Sequence, residues 1–518
     1  MNRDEMVSRI KNTGELWDFV IIGGGATGLG CAIEAASRGY QILLLERDDF
    51  SKGTSSRSTK LIHGGVRYLQ QGNVSLVLEA LRERGRLRRN APHLVHNLPF
   101  VVPSYDWWEG PFYGIGLKLY DMLAGRHGFG HSRFLSRETT RQYLPTVETE
   151  GLRGGVIYYD GQFDDSRLAI NMAQTAADQS ATLVNYMKVT GLIRENQMTA
   201  GVTAKDMETG AEYEIRAKGV INATGVFTDQ VLRMDDPGAR QIIVPSQGVH
   251  LVLDASFLPG DKAIMVPHTA DGRVLFATPW HDKVIVGTTD TMVEEITDEP
   301  RPLENEIEFL LSHAAQYLTK DPEASDVLSI FAGLRPLVNQ GDQDSTAALS
   351  RDHTIYISRS GLVTITGGKW TTYRKMAEET IDQAAMVAHL EERPCVSHDL
   401  HMHGYHNHAE KFGDLAAYGA DAAGIQDLCY QRPELKKQIH PAFPTIAAEA
   451  VWAVKHEMAR TVEDFLARRT RALLLDARAS MEAAEEAARL MAGELGQDEN
   501  WIRREIKSYQ SLARGYFL

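Results

Sequence analysis

Cysteine is scarce in this sequence. There are three in 518 residues, Cys31, Cys395 and Cys429, far apart and odd in number. No disulfide framework and no thiolate metal site can be read from that spacing, and the scarcity points to a reducing compartment. Long apolar runs are missing too: no uncharged stretch reaches the ~18–20 residues a membrane-spanning helix needs, so any membrane contact is expected to be peripheral. Met1-Asn2-Arg3-Asp4-Glu5 has no apolar run behind it, which excludes a standard secretory signal. Basic charge is not in excess either. A formal net charge of -14 argues against a nucleic-acid partner, yet leaves room for a local basic pocket around an anionic substrate.

What is present is a chain of ordinary globular composition, long enough for two to four domains at roughly 100–200 residues each. Residues 17–22 (WDFVII) form an apolar run that ends in glycines and predicts a buried parallel strand. A glycine loop, a helix over about 26–38 and a second apolar run (QILLLE, 41–46) complete a strand–helix–strand unit. Further on, 182–190 and 199–221 alternate like strands. Residues 242–290 break into short β-like runs (IIVPS, HLVLD, AIMVP, VLFATPW, VIVGTTD) that suggest a mixed or antiparallel sheet. A helix is expected over 302–320, two strands joined at Ser360-Gly361 over 353–367, and a long helix from Lys369 to about Leu390. Residues 408–518, rich in Ala, Glu, Arg and Leu, read as helical.

Three segments invite more than one reading. The arginine-rich 75–90 predicts a solvated helix face, with an anionic-lipid patch as the alternative. Residues 105–134 hold Trp107, Trp108, Phe112, Tyr113, Phe129 and Phe134 beside Lys118, Arg126 and Arg133. Such a segment could dip into a membrane interface or pack as a helical lid. His398, His401, His403, His406 and His408 form a dense cluster, but no Cys or Glu shares their spacing, so a solvated linker is expected rather than a metal site.

Gly23-Gly24-Gly25-Ala26-Thr27-Gly28 fits the G-x-G-x-x-G fingerprint. The pattern alone is weak; it gains weight here because it follows a strand, opens a helix, and has Glu46 at the end of the next strand. Glycines let the backbone approach a pyrophosphate, and the helix N-terminus offers free N–H groups and partial positive charge. Glu46 can accept from ribose hydroxyls and disfavours a 2′-phosphate. Asn222-Ala223-Thr224-Gly225 closes another strand with small residues. Thr366-Gly367-Gly368-Lys369-Trp370-Thr371-Thr372 joins a strand end to a helix start, which suits the electron-rich pyrimidine of a flavin.

The stretches DFVIIGGGATGLG (18–30), TSSRSTKLIHGGVRYLQ (54–70), APHL (91–94), FAGLRPLVNQ (331–340), SRDH (350–353), ITGGKWTTYRKMAE (365–378) and the tail 450–479 resemble the FAD-dependent glycerol-3-phosphate dehydrogenases, over nearly the whole chain from about residue 15 to 515. The expected fold is α/β: a Rossmann-like FAD-binding domain (15–100, 150–235 and 335–390), a mixed or antiparallel-sheet substrate domain (101–149 and 236–334) and an α-helical C-terminal domain (400–518). The resemblance implies a non-covalent FAD, hydride transfer from C2 of sn-glycerol 3-phosphate to give dihydroxyacetone phosphate, and electrons passed to a membrane quinone. The expected location is cytoplasmic, at the surface of the cytoplasmic membrane, with a homodimer left open. An amine or amino-acid oxidase of the same fold, or an oxygen-using glycerol-3-phosphate oxidase, is the alternative.

A small dianion with one oxidisable alcohol needs cations, a base and a hydride acceptor. By resemblance Arg335 and Lys369 bind the phosphate, with Arg67, Tyr68 and Arg351 completing the set. His250, near an ordinary pKa of ~6.5, is the candidate base. The cofactor is expected on Gly23, Gly25, Ala26, Thr27 and Gly28; on Glu46 and Arg47; and on Thr54, Ser55, Ser58, Lys60, His63, Gly64 and Gly65. Ala223, Thr224 and Gly225, and Gly368, Lys369, Trp370, Thr371 and Thr372, complete that expectation.

Overall fold

The computed structural model describes residues 1–11, 16–65, 73–107, 109–267, 274–339 and 353–518. Its first sheet is built around the glycine loop. Strand Trp17–Ile22 runs parallel to Ile42–Leu45 on one side and to Glu212–Asn222 on the other. Thr182–Val184 and Val363–Gly367 extend the parallel set at the two ends. His353–Ile357 adds an antiparallel edge, and Met187–Glu195 and Met198–Asp206 form a meander leading into Glu212–Asn222. The central strands are apolar at nearly every position because helices cover both faces: Phe19, Val20, Ile21, Leu43 and Leu44 are inaccessible to solvent.

The second sheet has ten strands among the described residues. At its heart Ile243–Asp254 pairs antiparallel with Val327–Val338 and with Lys283–Gly287. The two runs expected at 242–254 are therefore one strand. Pro245 and Gly248 do not break it, because Pro336 and Gly333 stand opposite them in the ladder. Strands Val95–Ser104 and Gly154–Phe163 also pair in this sheet. Residues 95–100 and 154–163, which the sequence pattern assigns to the FAD-binding part, thus contribute to the other sheet.

The C-terminal segment folds as helices, among them Ala447–His456, Ala477–Leu495 and Glu499–Ala513. Alanines at 483, 484, 487 and 488 let them approach closely, and their core is continuous with Val252, Ile285 and Phe331 of the second sheet. The helix Val74–Asn90 departs from a solvated face. Arg84 is buried, ion-paired with Asp160 and set over the Phe129 ring, and Glu83 is buried against Arg374. The histidine cluster is not uniformly solvated either: His403 bridges Asp178 at 2.7 Å and Asp421 at 3.0 Å.

Candidate active site

The end of strand Trp17–Ile22 delivers the chain into a tight loop before the helix Ala26–Ser37. A Cβ on Gly23 would lie 2.7 Å from the Ala223 carbonyl oxygen, and one on Gly28 would lie 1.9 Å from the Gly23 carbonyl oxygen. The first glycine therefore lets two strand ends meet, and the last seats the helix on the loop. Gly28 does not line the cavity beyond. Glu46 accepts from Gly24 N at 2.6 Å and Asp48 N at 2.8 Å. Burial pushes its carboxyl up to about 7 despite those two bonds.

That loop opens into a cavity of about 470 Å³ that runs from the first sheet to the second. Gly23, Gly25, Ala26, Thr27, Glu46 and Arg47 line one end. Arg47 is ion-paired there with Asp48 and Asp298. Along the walls stand Thr54, Ser55, Ser58 and His63, then Ala223, Thr224 and Gly225, then Gly368, Lys369, Trp370 and Thr371. Ser55 Oγ accepts from Ala26 N at 2.9 Å, and Trp370 Nε1 donates to Ser55 O at 3.0 Å, so the three segments lock one another.

Several expected cofactor residues turn elsewhere. Lys60 is fully buried and pairs with Asp165 at 2.7 Å, because an ammonium without solvent needs a carboxylate partner. Gly64 donates its N–H to Tyr120 Oη at 2.7 Å. Gly65 takes a left-handed backbone conformation, φ +78, and Thr372 Oγ1 donates to the Lys369 carbonyl. None of these four lines the cavity. Arg67, Tyr68 and Arg351 lie outside the described residues.

At the far end are His250 and Arg335, on neighbouring strands. The Arg335 guanidinium donates to Thr288 Oγ1 at 3.0 Å and to Thr289 O at 3.1 Å, and lies 3.5 Å from Asp290. His250 stacks on Phe331 with ring centroids 4.9 Å apart, and its Nε2 is 2.9 Å from Thr59 Oγ1. Nδ1 has no hydrogen-bond partner among the described residues. Its environment is not that of an ordinary histidine: burial, then the Lys60 ammonium, then the Arg335 guanidinium hold its pKa well below the usual range. The imidazole is neutral at pH 7.

A family model described as FAD dependent oxidoreductase matches residues 18–374, and one described as the C-terminal domain of alpha-glycerophosphate oxidase matches 362–501. The mitochondrial glycerol-3-phosphate dehydrogenases of Bos taurus and Homo sapiens are each 41% identical over 542 residues, which covers 98% of this chain and 74% of theirs. The chain belongs to the FAD-dependent glycerol-3-phosphate dehydrogenase family. The X-ray structure of the glycerol-3-phosphate dehydrogenase from Bacillus halodurans complexed with FAD matches with a TM-score of 0.81 at 30% identity, over 99% of this chain and 97% of that one. Glycine oxidase from Geobacillus kaustophilus shares the fold alone: 19% identity and a TM-score of 0.54, over 73% of this chain and 96% of its own.

The cavity fits the cofactor of this glycerol-3-phosphate dehydrogenase family on its own geometry. Gly23 and Gly25 line the cavity where a pyrophosphate must approach, and the buried carboxyl of Glu46 stands beside them. Two groups on the wall escape a reading of the sequence. Arg57 is buried, lines the cavity, and donates to both oxygens of Glu299 at 2.9 and 2.8 Å. Thr59 holds His250. Both stand inside the block 54–70, so their neighbourhood is legible in the sequence and their individual partners are not.

Proposed function

We propose that this protein oxidises sn-glycerol 3-phosphate to dihydroxyacetone phosphate and passes the electrons to a membrane quinone. The observation that carries this reading is that one cavity joins the dinucleotide fingerprint to Arg335, Lys369 and a neutral His250. Non-covalent FAD, when bound, supplies the hydride acceptor. The Gly23–Gly28 loop receives its pyrophosphate, and Glu46 its ribose hydroxyls.

Arg335 and Lys369 bind the substrate phosphate, with Arg67, Tyr68 and Arg351 as further members of that set. The Arg335 guanidinium is oriented before substrate arrives, because Thr288 and Thr289 both accept from its Nη2. His250 accepts the proton of the C2 hydroxyl as hydride leaves. With Nε2–H donating to Thr59 Oγ1, the neutral ring keeps its lone pair on Nδ1. A dianion beside Arg335 offsets one of the cations that depress the ring and so strengthens the base when substrate is present.

No helix among the described residues is long and apolar enough to cross a membrane. The quinone is reached from the surface. On the helix Glu109–Ala124, Phe112, Ile115, Leu119 and Met122 follow one another at helical spacing and are 52%, 71%, 44% and 77% exposed. Phe134 extends the patch with Lys118 beside its ring, and the exposed Trp107 precedes the helix in the chain. An apolar stripe of this kind with a cation at its margin suits the interface of a lipid bilayer, and the reading places the protein peripherally on the cytoplasmic membrane.

The test is the absorption spectrum of the purified holoenzyme under anaerobic glycerol 3-phosphate. Bleaching of the flavin, and reoxidation by a quinone analogue, are expected. A flavin that stays oxidised with this substrate, or is reduced instead by glycine or sarcosine, would overturn the reading.

A further inference from the structure

The C-terminal helical domain has no residue on the cavity wall, yet it grips the wall from behind at two points. Arg471 reaches from the domain into the sheet region with its side chain almost wholly buried. It donates to the Ser56 carbonyl at 2.8 Å and to Asp165 Oδ1 at 3.0 Å. The other oxygen of Asp165 accepts from Ser58 N, Ser58 Oγ and Lys60 Nζ at 3.0, 2.7 and 2.7 Å. Lys60 Nζ also donates to the Ser56 carbonyl, at 2.8 Å. Ser56, Ser58 and Lys60 are thus tied into one knot, and Thr59, held between two fixed neighbours, is the residue that meets His250.

The second point is Tyr516. Its hydroxyl donates to Glu299 Oε1, and Glu299 in turn accepts both bonds from Arg57. Around these polar ties the domain backs the strand that carries Phe331: Ser329 Oγ donates to Leu473 O at 2.8 Å, and Ile330 N to Tyr516 O at 2.7 Å. Phe331 shares the domain's apolar core and stacks on His250. Arg471 holds a left-handed backbone conformation, φ +65, which a side chain with a Cβ adopts only when its surroundings demand it.

We infer that the C-terminal domain is part of the catalytic apparatus, with Arg471 and Tyr516 as positioning residues that hold the segment Ser56–Lys60 and, through Thr59 and Phe331, the ring of His250. This rests on the oxidation of glycerol 3-phosphate proposed above. Neither residue touches the cavity, so their loss should spare substrate affinity and lower the rate of the step that needs His250 in place.

The experiment is anaerobic stopped-flow reduction of the flavin by glycerol 3-phosphate in the holoenzyme, for wild type, Arg471→Gln, Arg471→Lys, Tyr516→Phe and Arg478→Gln. Arg478 belongs to the same domain but, among the described residues, donates only to the carbonyls of Val327 and Leu518, and serves as the control. Arg471→Gln is expected to lower the limiting rate about 10- to 100-fold, the scale of a small misplacement of a catalytic group. The substrate concentration giving half that rate should move less than roughly threefold. Tyr516→Phe should show the same split more weakly, Arg471→Lys should recover part of the rate, and Arg478→Gln should match wild type. Should Arg471→Gln fail to retain flavin, Arg471→Lys and Tyr516→Phe decide, since both are small changes. Limiting rates equal to wild type in these variants would overturn the inference, as would losses that Arg478→Gln shares. A wild-type flavin left oxidised by glycerol 3-phosphate would overturn the substrate reading and this inference with it; wild-type reduction with undiminished variants overturns this inference alone.

Discussion

Gly248→Ala tests the proposed phosphate site by a change that replaces no charged residue. Gly248 lies mid-strand opposite Gly333, and a Cβ there would sit 2.2 Å from Arg335 Nη2 and 2.7 Å from its Cζ and Nη1. To reach ordinary contact the guanidinium must retreat by more than about 1 Å. The bonds to Thr288 and Thr289, at 3.0 and 3.1 Å, do not survive such a shift. The side chain is long enough to yield without disturbing the strand, so the fold should tolerate the substitution. The expected cost falls on the phosphate: one misdirected charge-assisted bond is worth about 1.5–3 kcal/mol, or about 10- to 100-fold in kcat/KM. Most of that should appear as a higher KM, because the phosphate is bound alike in ground and transition states. The assay is steady-state oxidation with a quinone analogue across glycerol 3-phosphate concentrations, with glycerol itself run in parallel. The preference for the phosphorylated substrate should shrink. An unchanged KM in a variant that keeps its flavin and melts within about 2 °C of wild type would show that this guanidinium does not hold the phosphate.

Ile115→Ser and Met122→Ser should each weaken binding to phosphatidylglycerol-containing vesicles about 10- to 100-fold, the loss of one apolar side chain from the bilayer, while flavin reduction stays as in wild type; a sedimentation assay reads this, and unaltered binding removes that helix from the membrane face. At His403, burial works against the charge but Asp178 and Asp421 hold the pKa up at about 9. A histidine raised above its unfolded value stabilises fully below about pH 6.5 and loses that contribution as pH climbs through the folded value. Discounted for the half-exposed Asp178, His403→Gln should lower stability by on the order of 1–2 kcal/mol near pH 6 and make no difference above roughly pH 10, as read by urea unfolding. Arg469 is inaccessible and bonds both oxygens of the buried Asp49. Arg469→Met leaves that carboxylate with Arg468 as its remaining cation and should destabilise by about 3–5 kcal/mol, part of it recovered when Asp49→Asn is added; a midpoint of urea unfolding unmoved by Arg469→Met would refute this.

The glycine-loop end of the cavity was legible because its information is local. Strand, glycine turn, helix and acidic strand end follow one another within residues 17–46, and backbone approach at Gly23 depends on what glycine lacks. Chain order likewise announced the helical tail, since its apolar residues recur at helical spacing. Other matters turned on packing between distant segments. Lys60 reads as one more cation in a glycine-rich block, and its Asp165 partner 105 positions away holds it off the cavity wall. His250 reads as an ordinary imidazole until burial beside Lys60 and Arg335 strips it of its charge. Arg84 reads as surface until Asp160 and Phe129 close over it. Backbone patterning is written in neighbouring residues, whereas the partner and the dielectric around each charge are set by whatever the fold brings alongside.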